Sequence, residues 1–143
     1  MFIGEFQHNL DTKGRVAVPA KFRRKISGGA IITRGLDHCL FIFTKKDWQE
    51  LADKLVNLPL SQANSRAFVR LMLSGASDVD LDSQGRVLIP DYLRKYAGLN
   101  KSTKIIGVYN RMEIWDDAAW EQYKTKSEGS SEEIVEKMAD LGI

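Results

Sequence analysis

At 143 residues, with 43% hydrophobic and 28% charged residues, the chain is too apolar for a disordered segment and suits one compact domain or two half-sized units sharing a core. Its formal net charge of +2 hides a split, because the stretch from Ser127 onward sets Glu128, Glu132, Glu133, Glu136 and Asp140 against Lys137 alone and leaves a basic body before it. One cysteine, Cys39, excludes an intrachain disulfide and, with only His8 and His38 for company, a structural zinc site, so neither metal nor cofactor is expected.

The first residues carry acidic Glu5 and no sustained apolar run, so a secretory leader is not expected, and no stretch is apolar enough for a spanning helix. A cytoplasmic protein without membrane contact is the reading. From Gly4 to Pro19 the chain reads GEFQHNLDTKGRVAVP, and at a constant offset of 71 residues Gly75 to Pro90 reads GASDVDLDSQGRVLIP. The echo continues through Phe22 and Leu93 to Arg23 and Arg94. Such self-similarity marks a duplicated unit.

In each copy an alternating segment enters an Asp-x-x-Gly turn and leaves through Arg-Val-x-Val or Arg-Val-x-Ile, a pattern that predicts a hairpin. Gly14 and Gly85 stand where a left-handed backbone is needed, and Asp11 and Asp82 can accept backbone N–H bonds and so shape the turns. Pro19 to about Ile26 and Pro90 to about Ala97 read as short helices opened by proline, each with an arginine, Arg23 or Arg94, on its exposed side. Strands follow around Ala30 to Thr33 and Cys39 to Phe43, joined by a turn at Gly35 to His38.

Thr44 to Asp47 resembles a capping box, and the helix it opens carries Trp48, Leu51, Leu55 and Val56 as expected core positions. Ser61 to Ser74 reads as a linking helix with Ala67, Phe68, Leu71 and Met72 on one face. In the second copy, strands Lys104 to Val108 and Met112 to Trp115 flank a turn at Tyr109 to Arg111, and Trp120 matches Trp48. Ser127 to Ser131 reads as a flexible joint, and Glu132 to Leu141 as an acidic helix capped by Ser130 or Ser131. The divisions are therefore residues 1–58, a linking helix 59–74, residues 75–126 and an acidic tail 127–143. One unit of about 50 residues cannot easily bury both sheet faces, whereas two copies related by a pseudo-twofold, with interleaved hairpins, can.

A surface Asp–Arg pair contributes only about 0 to 1 kcal/mol, so stability is a weak reason to repeat Arg15 and Arg86. The planar fork of arginine can bond bidentate to guanine O6 and N7 or to phosphate oxygens, and a β-hairpin tip fits the major groove. Lys13, Lys21, Arg23, Arg24 and Arg94 are the candidate phosphate contacts beside it. The second copy is less basic, with Gln84 in place of Lys13 and Asp91 offsetting Arg94.

The repeated Asp-x-x-Gly-Arg-Val-x-Val/Ile-Pro-x-x-Phe/Leu-Arg resembles the AbrB/SpoVT swapped-hairpin DNA-binding unit. The resemblance implies an α+β fold of two tandem pseudo-symmetric swapped-hairpin units in a double-barrel-like core with flanking helices. It maps the family's Asp-x-x-x-Arg motif onto Asp11/Arg15 and Asp82/Arg86. With the duplication, the Met-Phe-x-Gly start and the length, it implies a regulator that binds double-stranded DNA as a closed homo-oligomeric ring. Its sites would be short direct repeats upstream of its own operon in the bacterial division and cell-wall gene cluster, and the protein would be associated with the nucleoid.

No enzyme is expected: adjacent His38 and Cys39 would point to opposite faces of a strand, His8 has no match in the second copy, and Gly28-Gly29 lacks the lysine and threonine of a phosphate loop. The competing reading is an oligomeric scaffold whose turns bind another protein.

Overall fold

A computed structural model describes residues 1–142; Ile143, the last residue of the expected acidic tail, lies outside the described residues. The strands are β1 (Phe2–Asn9), β2 (Arg15–Ala17), β3 (Ala30–Arg34), β4 (Leu40–Thr44), β5 (Ser77–Val79), β6 (Arg86–Leu88), β7 (Ser102–Tyr109) and β8 (Met112–Asp116). The α-helices are α1 (Lys45–Val56), α2 (Ala63–Ser74), α3 (Asp91–Tyr96), α4 (Asp117–Gly129) and α5 (Ser131–Lys137). The fold is α+β with antiparallel strand pairing.

Strand pairing departs from the expected hairpins. β1 and β2 are joined by a closed turn but form no ladder with each other; β1 pairs with β7 from the second copy, and β2 pairs with β6. The six-stranded sheet runs β1-β7-β8-β4-β3-β5, so the first strand of each copy lies beside strands of the other. Periodicity identifies a strand but does not name its partner, which is why a pattern local to one copy suggested a local hairpin.

Alternation along the strands divides the core in two. Ile32, Leu40, Ile42, Ile105, Met112 and Ile114 face one side, where Val16, Val18, Val87 and Ile89 of the β2–β6 ribbon and Phe22 and Leu93 of the short helices pack on them. Phe41, Phe43, Ile106 and Trp115 face the other side, covered by Leu55 of α1, Met72 of α2 and the partly buried Trp120 of α4. The matched tryptophans do matched work: Trp48 lies 5.8 Å from Phe43 and Trp120 5.2 Å from Trp115, ring centre to ring centre.

The helix beginning at Pro19 is a 3-10 helix over Ala20–Ile26, while its counterpart α3 is α-helical. Thr44 caps α1, its hydroxyl oxygen accepting from Asp47 N at 3.1 Å. Thr33 Oγ1 donates to Met72 O at 2.7 Å and ties α2 to β3. On α1 the inner face is narrower than the pattern indicated, and on α2 it is rotated. Val56 is 59% exposed and Leu71 53%, and Ala67 is also outside, because Phe68, Val69, Met72 and Leu73 form the stripe that meets the sheet.

The expected joint is corrected too: α4 continues through Ser127 to Gly129, held by the contact of Tyr123 with Trp115, and breaks only at Ser130, whose side chain makes no capping bond. No helix among the described residues is long and apolar enough to cross a membrane.

Candidate nucleic-acid interface

Each duplicated turn is built by its aspartate. Asp11 Oδ1 accepts from Lys13 N and from Arg15 N, both at 2.9 Å, while Gly14 N donates to Asp11 O at 3.1 Å and Asp11 N to Arg15 O at 2.9 Å. Asp82 repeats the set, accepting from Gln84 N at 2.8 Å and Arg86 N at 2.9 Å. These bonds favour the ionised carboxylate. The N–H of Arg15 is the largest influence on Asp11; desolvation opposes it, and the Arg15 guanidinium and Lys13 N–H add to it, so the pKa is lowered to about 2. Asp82 is lowered by the equivalent N–H of Arg86, again against desolvation.

The arginines that follow are not free at hairpin tips, as the sequence pattern implied. Arg15 Nε donates to Asp11 Oδ2 and Arg86 Nε to Asp82 Oδ2, each at 2.8 Å. Both remain partly open, with side chains 32% and 26% exposed. The terminal nitrogens of Arg15 make no hydrogen bond among the described residues, and Nη1 of Arg86 lies 3.6 Å from Asp11 Oδ2, the same oxygen that Arg15 uses. Two guanidiniums from residues 71 apart in the sequence thus meet at one carboxylate.

The β2–β6 ladder sets this meeting. Its register pairs Arg15 with Leu88, Val16 with Val87 and Ala17 with Arg86. Val16 and Val87 are buried in the core, so the alternation of a strand turns Arg15, Ala17, Arg86 and Leu88 to the opposite, outer face. Leu88 is 56% exposed. Neither Ala17 nor Leu88 was singled out from sequence, although the period of two in RVAV and RVLI already placed them beside the arginines.

Of the expected phosphate contacts, Lys13, Lys21 and Arg24 are exposed. Lys21 also sits over the rings of Phe6 and Phe22. Arg23 and Arg94 are half-buried, which corrects their expected place on exposed helix sides: Arg23 Nε donates to Val18 O at 2.9 Å and Arg94 Nη1 to Ile89 O at 2.5 Å. His38 lies in a turn with φ of 58°, and Cys39 is fully buried, its thiol pushed up chiefly by desolvation and bonded to Leu36 O at 3.2 Å.

Fold and site together define a duplicated α+β protein with a two-stranded ribbon carrying paired guanidiniums. The family model described as "MraZ protein, putative antitoxin-like" matches residues 1–71 and again 72–142. The chain is 52% identical over 143 residues to the transcriptional regulator MraZ of Alkaliphilus oremlandii and 50% identical over 143 residues to that of Acetivibrio thermocellus, covering all of each protein. It is 48% identical over 141 residues to that of Desulforamulus reducens, 99% of both chains. The chain belongs to the MraZ family.

Proposed function

We propose that this protein is a sequence-specific transcription regulator that reads double-stranded DNA with the outer face of its β2–β6 ribbon. The observation that carries the reading is the convergence of Arg15 and Arg86 on Asp11 Oδ2 at 2.8 and 3.6 Å, which joins the two duplicated turns into one unit with the terminal nitrogens of Arg15 left unbonded among the described residues. A two-stranded ribbon fits the major groove, arginine pairs with guanine O6 and N7, and apolar Ala17 and Leu88 beside them suit a thymine methyl. Exposed Lys13, Lys21 and Arg24 take the flanking phosphates. The names of the relatives support the regulatory role.

The finer parts of the reading follow the family resemblance. The exchange of strands between copies supports a swapped-hairpin unit, and on this reading the two halves, residues 1–58 and 75–126, act as paired DNA-binding units joined by the 59–74 link, with 127–143 as an accessory acidic tail. Target sites are short direct repeats upstream of the protein's own operon among division and cell-wall genes, where the protein is associated with the nucleoid. A closed ring of copies engages successive repeats, and tethering raises effective concentration and hence affinity.

The test is binding of the full chain to direct-repeat DNA over a range of salt. The reading predicts log K falling steeply with log salt, and complete loss of the specific complex in Arg15→Ala with a nearly unchanged circular-dichroism melt. A salt-insensitive or absent complex supports the protein-binding scaffold instead. Sedimentation showing only a 16.2 kDa species rejects the ring.

A further inference from the structure

Arg94 covers the turn of the other copy. Its guanidinium occupies the space a side chain on Gly14 would take, with Cζ 2.6 Å from the position of a Cβ there. Arg23 covers Gly85 in the same manner, with Nη1 2.8 Å from the corresponding position. Both glycines have positive φ, 84° and 75°, and both are buried. Glycine is therefore required twice over at each turn, by its backbone and by the arginine lying on it.

The crossing follows from the ladder. Beyond the paired strands, Val18 N donates to Gly85 O and Ile89 N to Gly14 O, each at 2.9 Å, so the end of each ribbon strand runs into the turn of the other copy. Pro19 or Pro90 then starts a short helix, and the arginine one turn along folds back to the carbonyl just past the strand, Val18 O or Ile89 O. Arg94 Nη2 is further directed by Asp91 Oδ1 at 3.3 Å. Each turn is thus bonded on one side by its own aspartate and covered on the other by the arginine of its duplicate.

We propose that Arg23 and Arg94 are positioning residues that lock the opposite copy's turn, presenting Arg15 and Arg86 as one rigid pair, and that base discrimination depends on this lock. The two residues do not contact phosphate. This role in discrimination rests on the DNA-reading role proposed above. The lock needs a planar fork that bonds the carbonyl of Ile89 and lies over Gly14; a lysine keeps the charge but lacks that shape, so Arg94→Lys must behave like Arg94→Ala.

Amide hydrogen exchange of the full chain without DNA tests the lock itself. Arg94→Ala and Arg94→Lys speed exchange at Lys13, Gly14 and Arg15 by about fivefold relative to Gln84, Gly85 and Arg86, and Arg23→Ala does the reverse. Equal change in both turns, change confined to the variant's own copy, or no change overturns the lock. On DNA, the same variants keep the wild-type slope of log K against log salt while the ratio of specific to non-specific affinity falls about tenfold. A slope smaller by about one with the ratio intact makes these residues phosphate contacts and overturns the proposal. Should the wild type bind no DNA, the reading role falls and exchange alone decides the lock.

Discussion

In the first copy Asp11 receives the N–H groups of Lys13 and Arg15 at 2.9 Å, and in the second Asp82 receives those of Gln84 and Arg86 at 2.8 and 2.9 Å, yet the flanks of these turns differ in almost every charge. Beside the first stand exposed Lys13, Lys21 and Arg24; beside the second, Asp91 pairs with Arg94 at 3.3 Å and Lys95 at 3.0 Å. Asp11 takes two guanidiniums, whereas Asp82 takes only Arg86 among the described residues. A turn made from backbone bonds accepts either lysine or glutamine at its third position, so geometry was kept while electrostatics diverged. On the proposed reading, the copies share the task of shape and divide the task of attraction.

The comparison breaks most visibly at the arginines. On the proposed reading, Arg15→Ala or Arg86→Ala costs about 1 to 3 kcal/mol per protomer, and repeated round the proposed ring the loss abolishes the specific complex in a mobility-shift assay. If one substitution has no effect, the turns are not a pair. Next in size, Gly14→Ala and Gly85→Ala each lower unfolding stability in urea by about 1 to 3 kcal/mol, from a disfavoured positive φ and overlap with the covering arginine. Equal losses at both positions support the crossed arrangement.

A milder change sharpens the division of charge. Lys13→Gln converts the first turn to the composition of the second, weakens binding alike on all sequences and reduces the salt slope by about one, while Gln84→Lys increases it. Smallest is the response to acid. Because the folded pKa values of Asp11 and Asp82 are depressed, the stability these carboxylates contribute is full above their ordinary value of 3.8 and is lost as pH falls, for Asp11 through about 2. Carboxyl chemical shifts followed from pH 5 downward check this, and an Asp11 midpoint at its ordinary value contradicts the turn geometry.

Much of this architecture was legible in the repeat. The offset of 71 placed both turns and both proline-started helices, and a slip of one residue matched Trp48 with Trp120, because each is written in a few neighbouring residues. Interleaving of the two copies was expected from the repeat, but the particular partners, β1 with β7 and β2 with β6, were not legible, since any strand of suitable pattern satisfies the same alternation. For the same reason Arg23 and Arg94 looked solvent-facing: their partners are glycines 62 and 80 positions away, in the other copy. Leu71 and Val56 followed helical spacing but fell just outside the stripe that meets the sheet, a matter of helix rotation that spacing alone leaves open. At the turn arginines the sequence left two alternatives open, an outward guanidinium or a pair with the turn aspartate, and the structure has the Nε bonds to Asp11 and Asp82.

The most direct test watches the arginine side chains themselves. In isotope-labelled protein, the Nε–H signals of both Arg15 and Arg86 are predicted to shift when direct-repeat DNA is added and to stay in place with DNA lacking guanine at the contacted positions. Signals from both residues that ignore operator DNA, with changes confined to lysines, would contradict a ribbon that reads bases.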